Sequence, residues 1–256
     1  MFFLHGILGR GVNWRTIARR FVAQRPDWAA VLVDLPEHGD SLGQPGPATL
    51  ESAAQALLAL EQSIDLPVRG VLGHSFGGKV ALRWLAEHPS TDEAWIIDSS
   101  PSPVPSGADT AGTRTVLAAL GRVSDSFPTR KAFIEAIVAE GQPRPIAQWL
   151  AMNLKEQAEA FRFGPNLGTV RALIEDYARN ELWAVVERPP EGCALEFVLG
   201  GDSSVVSTED RLRLQGLAEM NPLLRVHEVP GAGHWVHVDA PDRLMSLLTS
   251  SPRPGR

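Results

Sequence analysis

A single cysteine, Cys193, stands in the sequence, so no internal disulfide can form and no cysteine-based zinc cluster can be assembled. A reducing compartment suits such a chain, and the expected location is cytoplasmic. Surplus basic charge is also missing. The 24 Lys and Arg against 30 Asp and Glu leave a net charge of -6, which argues against a nucleic-acid partner. No run approaches the ~20 apolar residues of a membrane-spanning helix. Met1-Phe2-Phe3-Leu4 is apolar but is broken at once by His5-Gly6, without a basic leader or a small-residue cleavage site, so no signal peptide is expected. No internal repeat is visible. What remains is a chain of 256 residues, 44% hydrophobic, long enough for one large α/β core with or without an insertion.

The most informative stretch runs from Val68 to Val80. The apolar run Val68 to Leu72 reads as a buried strand, and Gly73-His74-Ser75-Phe76-Gly77 fits Gly-x-Ser-x-Gly. Beyond it Val80, Ala81, Trp84 and Leu85 share one helical face. Strand, tight turn and helix form the context in which this pattern becomes a nucleophile elbow, with glycines where a side chain would strike neighbouring backbone. Ser75 is therefore the candidate nucleophile. The same stretch matches a phosphate-binding loop as far as Gly78-Lys79. That loop needs Ser or Thr next to hold magnesium, and Val80 has no hydroxyl.

Taken in order, Met1 to Leu4 predicts a buried strand, followed by a glycine-rich loop at His5-Gly6-Ile7-Leu8-Gly9 and a helix over Asn13 to Gln24. Backbone N–H groups of that loop, Ile7 above all, can stabilise an oxyanion if the loop lies beside Ser75. Ala29 to Val33 predicts a strand, and Leu50, Ala54, Leu57 and Leu58 mark a core-facing helix. Ala94 to Ile97 is the next strand, ending at Asp98, with a breaker-rich exit from Ser102 to Gly107. From about 107 to 188 strand–helix alternation stops and helical patterns dominate, which predicts an inserted helical lid. Its aromatics Trp149, Phe161 and Trp183 are expected in the lid core, with one or two walling an acyl pocket. Alternation returns with strands over Leu195 to Leu199 and Leu224 to Val229, a capping box from Ser207 and Asp210, and a last helix from Pro241 to Leu248. Such alternation predicts a parallel sheet covered on both faces.

Ser75, an acid beyond the elbow and a histidine in a late glycine-flanked loop follow the chain order of a Ser–Asp–His triad. His234 is the candidate base, preferred over its neighbour His237. The His-x-x-His spacing of those two is weak evidence for a metal without further ligands. His38, in a turn, reads as a local hydrogen-bonding residue. Asp98 and Asp202 both stand at carboxyl ends of strands, where sites in open α/β sheets are built, while Asp239 is too near His234 along the chain.

Leu4-His5-Gly6-Ile7-Leu8-Gly9, Asp34 with His38-Gly39-Asp40-Ser41, the elbow, Ile97-Asp98-Ser99-Ser100-Pro101 and Gly231-Ala232-Gly233-His234-Trp235 together resemble α/β-hydrolase esterases, nearest to the YbfF-like small acyl esterases. The resemblance spans nearly the whole chain and is loose only in the lid, about 107 to 188. It implies a mostly parallel sheet of about six strands lacking the usual N-terminal hairpin, with a core of residues 1–106 and 189–256 and a lid of 107–188. Many members carry the acid in a Gly-x-x-Asp pattern after the strand at Leu195 to Leu199, where this chain has Ser203, with Asp202 one residue early. The YbfF-like branch takes its acid one strand earlier, which maps onto Asp98. Adjacent side chains at a strand end point in different directions, so Asp98 is favoured and Asp202 is the alternative acid.

The implied chemistry is hydrolysis of a small carboxylic ester by Ser75, His234 and Asp98, with the N–H groups of Ile7 and Phe76 as oxyanion donors and with no metal or organic cofactor. The expected protein is a monomer or homodimer with a small-molecule substrate. The same scaffold hosts proton-abstraction lyases and perhydrolases, for which lid arginines such as Arg130 and Arg144 would matter, and a hydrolase-like module that only binds a ligand is the other alternative.

Overall fold

The computed structural model describes residues 1–44, 46–105 and 112–250. The expected start of the insertion at Gly107 lies outside the described residues. Strands and helices alternate at first: β1 (Phe2–Leu4), α1 (Arg15–Gln24), β2 (Val31–Val33), α2 (Leu50–Glu61), β3 (Gly70–His74), α3 (Phe76–Leu85) and β4 (Glu93–Ile97). Next come α4 (Thr113–Leu120), α5 (Arg130–Ala139), α6 (Arg144–Leu150), β5 (Leu154–Gln157), β6 (Ala160–Phe163), α7 (Leu167–Arg179) and α8 (Trp183–Glu187). The pattern resumes with β7 (Ala194–Gly200), α9 (Thr208–Met220), β8 (Leu224–Val229), α10 (Val236–Asp239) and α11 (Pro241–Ser250).

Six strands form one sheet in the order β2-β1-β3-β4-β7-β8, every pair parallel. A parallel sheet needs cover on both faces, and side chains alternate accordingly. Phe2, Leu4, Val71, Ile96 and Phe197 enter the core beneath α2 and α3. Phe3, Leu72, Trp95 and Val198 enter the opposite core, against Phe21 of α1 and Leu244 of α11. This two-sided burial is why β3, β4 and β7 are apolar runs rather than alternating ones. The helix expected from Asn13 starts as a 3-10 turn, Gly11–Trp14, and becomes α-helical at Arg15.

Helices dominate the insertion as expected, but it also carries one strand pair: β5 and β6 form an antiparallel hairpin. Its turn residues Ala158 and Glu159 both have positive φ, 46° and 64°. A two-residue hairpin turn requires that conformation and is normally announced by Asn-Gly, so Ala-Glu concealed it. The three aromatics also divide. Phe161 packs beside the insertion's own apolar cluster, built on Phe133, Ile137 and Leu150, whereas Trp183 belongs to the main core. Its indole N–H reaches the Ser102 hydroxyl at 2.8 Å. The capping box is half-formed. Ser207 accepts the Asp210 N–H, but the Asp210 carboxylate turns away to take the hydroxyls of Ser100 and Ser102 at 2.5 and 2.7 Å.

Lys79, one turn into α3, is fully buried. Its ammonium donates at 2.8 Å to three carbonyls, those of Ser102, Tyr177 and Asn180, and so ties the elbow helix to both ends of the insertion. Burial pulls its pKa down to about 8. A Lys79→Met variant would fill similar space and leave those carbonyls without a donor. An unmatched buried polar group costs ~1–3 kcal/mol. Denaturant unfolding at pH 7 is expected to show a loss of about 3 kcal/mol, and an unchanged midpoint would contradict this account.

Candidate active site

Three strand ends build the site. β3 stops at His74 and the chain turns sharply through Ser75, whose backbone is held at φ 54°, ψ -117°. That conformation is strained for a residue with a side chain, and two neighbours make room for it. A Cβ on Gly77 would stand 2.5 Å from the His5 carbonyl oxygen, and one on Gly73 would run into the Gly77 carbonyl. Ser75 N–H is taken by the Ile97 carbonyl at 3.0 Å, which leaves its hydroxyl above the sheet.

β4 ends one residue before Asp98, which also has positive φ and is fully buried. Its carboxylate accepts three hydrogen bonds: Gly200 N–H at 3.0 Å, the Ser203 hydroxyl at 2.5 Å and His234 Nδ1 at 2.7 Å. A carboxylate only accepts, so Nδ1 carries the proton and Nε2 presents its lone pair. That nitrogen lies 3.0 Å from Ser75 Oγ. Ser75, His234 and Asp98 thus form one hydrogen-bonded line. Asp202 is exposed, its N–H is tied to the Ala232 carbonyl, and its carboxylate makes no bond to His234. Ser203, which the sequence alone does not single out as a site residue, braces Asp98 with its hydroxyl.

The other histidines act as struts, and their tautomers follow from their partners. His5 Nδ1 donates to the Gly6 carbonyl and its Nε2 accepts Leu35 N–H. His38 Nδ1 donates to the Pro36 carbonyl and its Nε2 accepts Leu8 N–H at 2.9 Å. His74 Nε2 donates to the His234 carbonyl at 2.8 Å, and its ring lies 4.6 Å from that of His234. Protonating His5 or His38 would turn an acceptor into a donor facing an N–H. Burial lowers the pKa of His5 and His74 well below the ordinary value, and lowers His38 as well. His237, packed 4.5 Å from Trp14 and 4.8 Å from His74, is pushed by burial to about 4. Among the described residues no group of three or more His, Cys, Asp and Glu is arranged to hold a metal.

Above Ser75 lies a cavity of about 270 Å³. Its floor is polar, with His74, Ser75 and His234. Its walls are apolar, with Val116, Ile146 and Trp149 from the insertion facing Trp14 and Trp235. Trp149 and Trp235 meet at 5.3 Å. Among the described residues lining it there is no Asp, Glu, Lys or Arg. The two lid arginines considered for a charged substrate have other partners. Arg130 donates to the carbonyls of Ala151 and Leu154, and Arg144 pairs with Glu135. Ile7, in the loop after β1, lines the cavity beside Ser75, and Phe76 follows Ser75 as the first residue of α3.

Fold and site together define a hydrolase of the α/β type. The model of the alpha/beta hydrolase family matches residues 1–247, and the chain belongs to that family. It is similar to the sn-1-specific diacylglycerol lipase ABHD11 of Mus musculus, 29% identical over 97% of this chain and 79% of that one. It is also similar to Esterase YbfF of Escherichia coli, 29% identical over 96% and 89%. A third relative, 31% identical over 96% and 78%, is the 2-succinyl-6-hydroxy-2,4-cyclohexadiene-1-carboxylate synthase of an Enterobacter species. Among solved structures, a marine microorganism esterase superposes with a TM-score of 0.81 at 24% identity, covering 96% of this chain and 92% of that one. No described helix is long and apolar enough to cross a membrane.

The struts make stability pH-dependent. In His5, His38, His74 and His237 the folded-state pKa lies below the ordinary 6.5. Below pH 6.5 the unfolded chain therefore binds more protons than the folded one, and stability falls as pH drops towards 4. The limiting slope is ~1.4 kcal/mol per pH unit for each histidine. Thermal unfolding is expected at lower temperature at pH 5 than at pH 7, and His237→Phe should make that decline shallower. A Tm independent of pH across this window would contradict the assignment.

Proposed function

We propose that this chain is a carboxylic ester hydrolase acting through an acyl-enzyme on Ser75, with His234 as general base and Asp98 as the orienting acid. The observation that carries the reading is the His234 ring, which spans Ser75 Oγ at 3.0 Å and Asp98 Oδ2 at 2.7 Å. Ser75 Oγ attacks the acyl carbon while its proton passes to His234 Nε2. Asp98 stabilises the imidazolium, and the N–H groups of Ile7 and Phe76 hold the oxyanion. The imidazolium then protonates the leaving alcohol. Water, deprotonated by the same nitrogen, releases the carboxylic acid and restores Ser75. Neutral His74 adds no positive charge beside the ring that must become cationic.

The cavity supports small, uncharged acyl esters of short to medium chain. Its walls are aromatic and aliphatic, its volume is about 270 Å³, and no charged side chain among the described residues awaits a substrate carboxylate. The synthase-like alternative, removal of a proton from a carboxylate-bearing substrate, is less well supported for that reason. The reading includes a core of residues 1–106 and 189–256, a cap of 107–188, a cytoplasmic location, and a monomer or homodimer.

Ser75→Ala is expected to abolish hydrolysis of p-nitrophenyl butyrate. Asp98→Asn, which loses the anion but keeps the shape, should lower kcat by ~10³–10⁴-fold. Asp202→Asn should stay within about twofold of the parent, as befits an exposed side chain outside the hydrogen-bonded line. A larger loss at position 202 than at 98 would overturn the acid assignment, and turnover by Ser75→Ala would overturn the mechanism. A hemisuccinate ester should be hydrolysed much more slowly than the butyrate.

A further inference from the structure

The loop after β1 closes as a four-residue turn, with Gly9 N–H donating to the Gly6 carbonyl at 2.9 Å. Its third residue, Leu8, has φ 60°, a conformation in which glycine is the usual occupant. Leu8 is not replaceable on packing grounds. Its side chain is 1% exposed and sits in the apolar cluster of the insertion, beside Phe127, Phe133 and Leu150, rather than in the core of the sheet. The backbone of Leu8 is gripped as well. His38 Nε2 takes its N–H, and the side-chain amide of Asn153 donates to its carbonyl at 2.7 Å. Asn153 belongs to the insertion, in the 3-10 turn just before β5, and is 3% exposed.

Peptide planarity turns these bonds into a relay. In the Leu8–Gly9 peptide the carbonyl is held by Asn153 and the N–H by Gly6. In the Gly6–Ile7 peptide the carbonyl is held by Gly9 N–H and by His5 Nδ1. The opposite edge of that same plane is the Ile7 N–H, which no other group takes among the described residues. The plane lies close to the nucleophile: a Cβ on Gly6 would be 3.4 Å from the Cβ of Ser75.

We propose that Asn153 is a positioning residue for the oxyanion hole, a cap side chain that sets the direction of the Ile7 N–H through two linked peptide planes. The inference rests on the proposed esterase chemistry, in which Ile7 N–H is an oxyanion donor. It makes the cap more than a wall of the pocket. With the cap displaced, Leu8 loses its carbonyl partner and its apolar seat, and its left-handed conformation loses its support. The amide orientation is dictated by its partner, because Asn153 Oδ1 in that place would face another carbonyl oxygen.

The test compares Asn153→Ala and the near-isosteric Asn153→Asp with the parent on p-nitrophenyl butyrate and on butaneboronic acid, whose tetrahedral adduct with Ser75 places an oxygen in the oxyanion hole. Complete removal of one oxyanion donor typically costs 10²–10³ in kcat, so a misaimed donor should cost ~10-fold or more. The expected result is that loss in kcat, a matching loss of boronate affinity, and KM within about threefold. Leu173→Ala, a truncation in α7 of the insertion that packs in the main core and not in the cluster seating Leu8, controls for stability and should keep kcat within about twofold at a comparable fall in Tm. Full kcat and boronate affinity in both Asn153 variants would overturn the inference. So would a loss in Leu173→Ala that matches theirs. A parent enzyme that neither turns over esters nor captures the boronate would remove the esterase reading and this inference with it, a failure told apart by the parent alone.

Discussion

The bond from His234 Nδ1 to Asp98 Oδ2 is the interaction on which the site depends. An anion taken out of water is costly unless donors surround it, and Asp98 has three. Satisfying the carboxylate in this way decides which imidazole nitrogen carries the proton, and so which one faces Ser75. The geometry in turn requires the strand order. β3, β4 and β7 are neighbours, so the residues beyond their carboxyl ends meet, and β8 at the edge delivers the histidine loop across them. A sheet in any other order would scatter the same side chains.

Around that line the backbone is held in conformations it would not choose alone. Ser75, Asp98 and Leu8 all have positive φ; the first two lie directly beyond strand ends, and Leu8 lies in the loop that follows β1. Each is over-determined by hydrogen bonds to neighbouring strands or loops, which is the condition for strain to persist. The buried neutral His38 supplies one of those bonds, to Leu8 N–H, and His5 and His74 brace the adjoining loops. An imidazole suits this work because one ring nitrogen can accept an N–H while the other donates to a carbonyl. Burial, by disfavouring the cation, preserves that arrangement at neutral pH. The floor of the pocket is therefore rich in hydrogen-bonding groups yet poor in charge, beneath apolar walls supplied by the cap.

Much of the fold could be read from residue pattern. Apolar runs of strand length bounded by breakers, with helical periodicity between them, mark all six sheet strands within two residues of their observed limits. The elbow was legible because steric demand at Gly73 and Gly77 is local. The hairpin at 154–163 was not, because Ala158 and Glu159 adopt a turn that their types do not favour and that packing imposes. Trp183 packs in the main core and not in the cap, because an aromatic at helical spacing signals burial but not against what. Ser203 and Asn153 left no local mark. Each matters through a partner about a hundred or more residues away, and sequence separation carries no distance.

By itself the chain determined its alternation, its elbow, and the residue types able to move a proton: a hydroxyl, an imidazole and two rival carboxylates. Those are consequences of short-range sterics and of side-chain chemistry. Tertiary structure decided which carboxylate meets the imidazole, which histidines are struts, and what closes over Ser75. Such choices depend on the direction in which a side chain leaves a strand end and on which donors reach it there. Directions of that kind exist only once the sheet has formed and the cap has seated against the loop after β1.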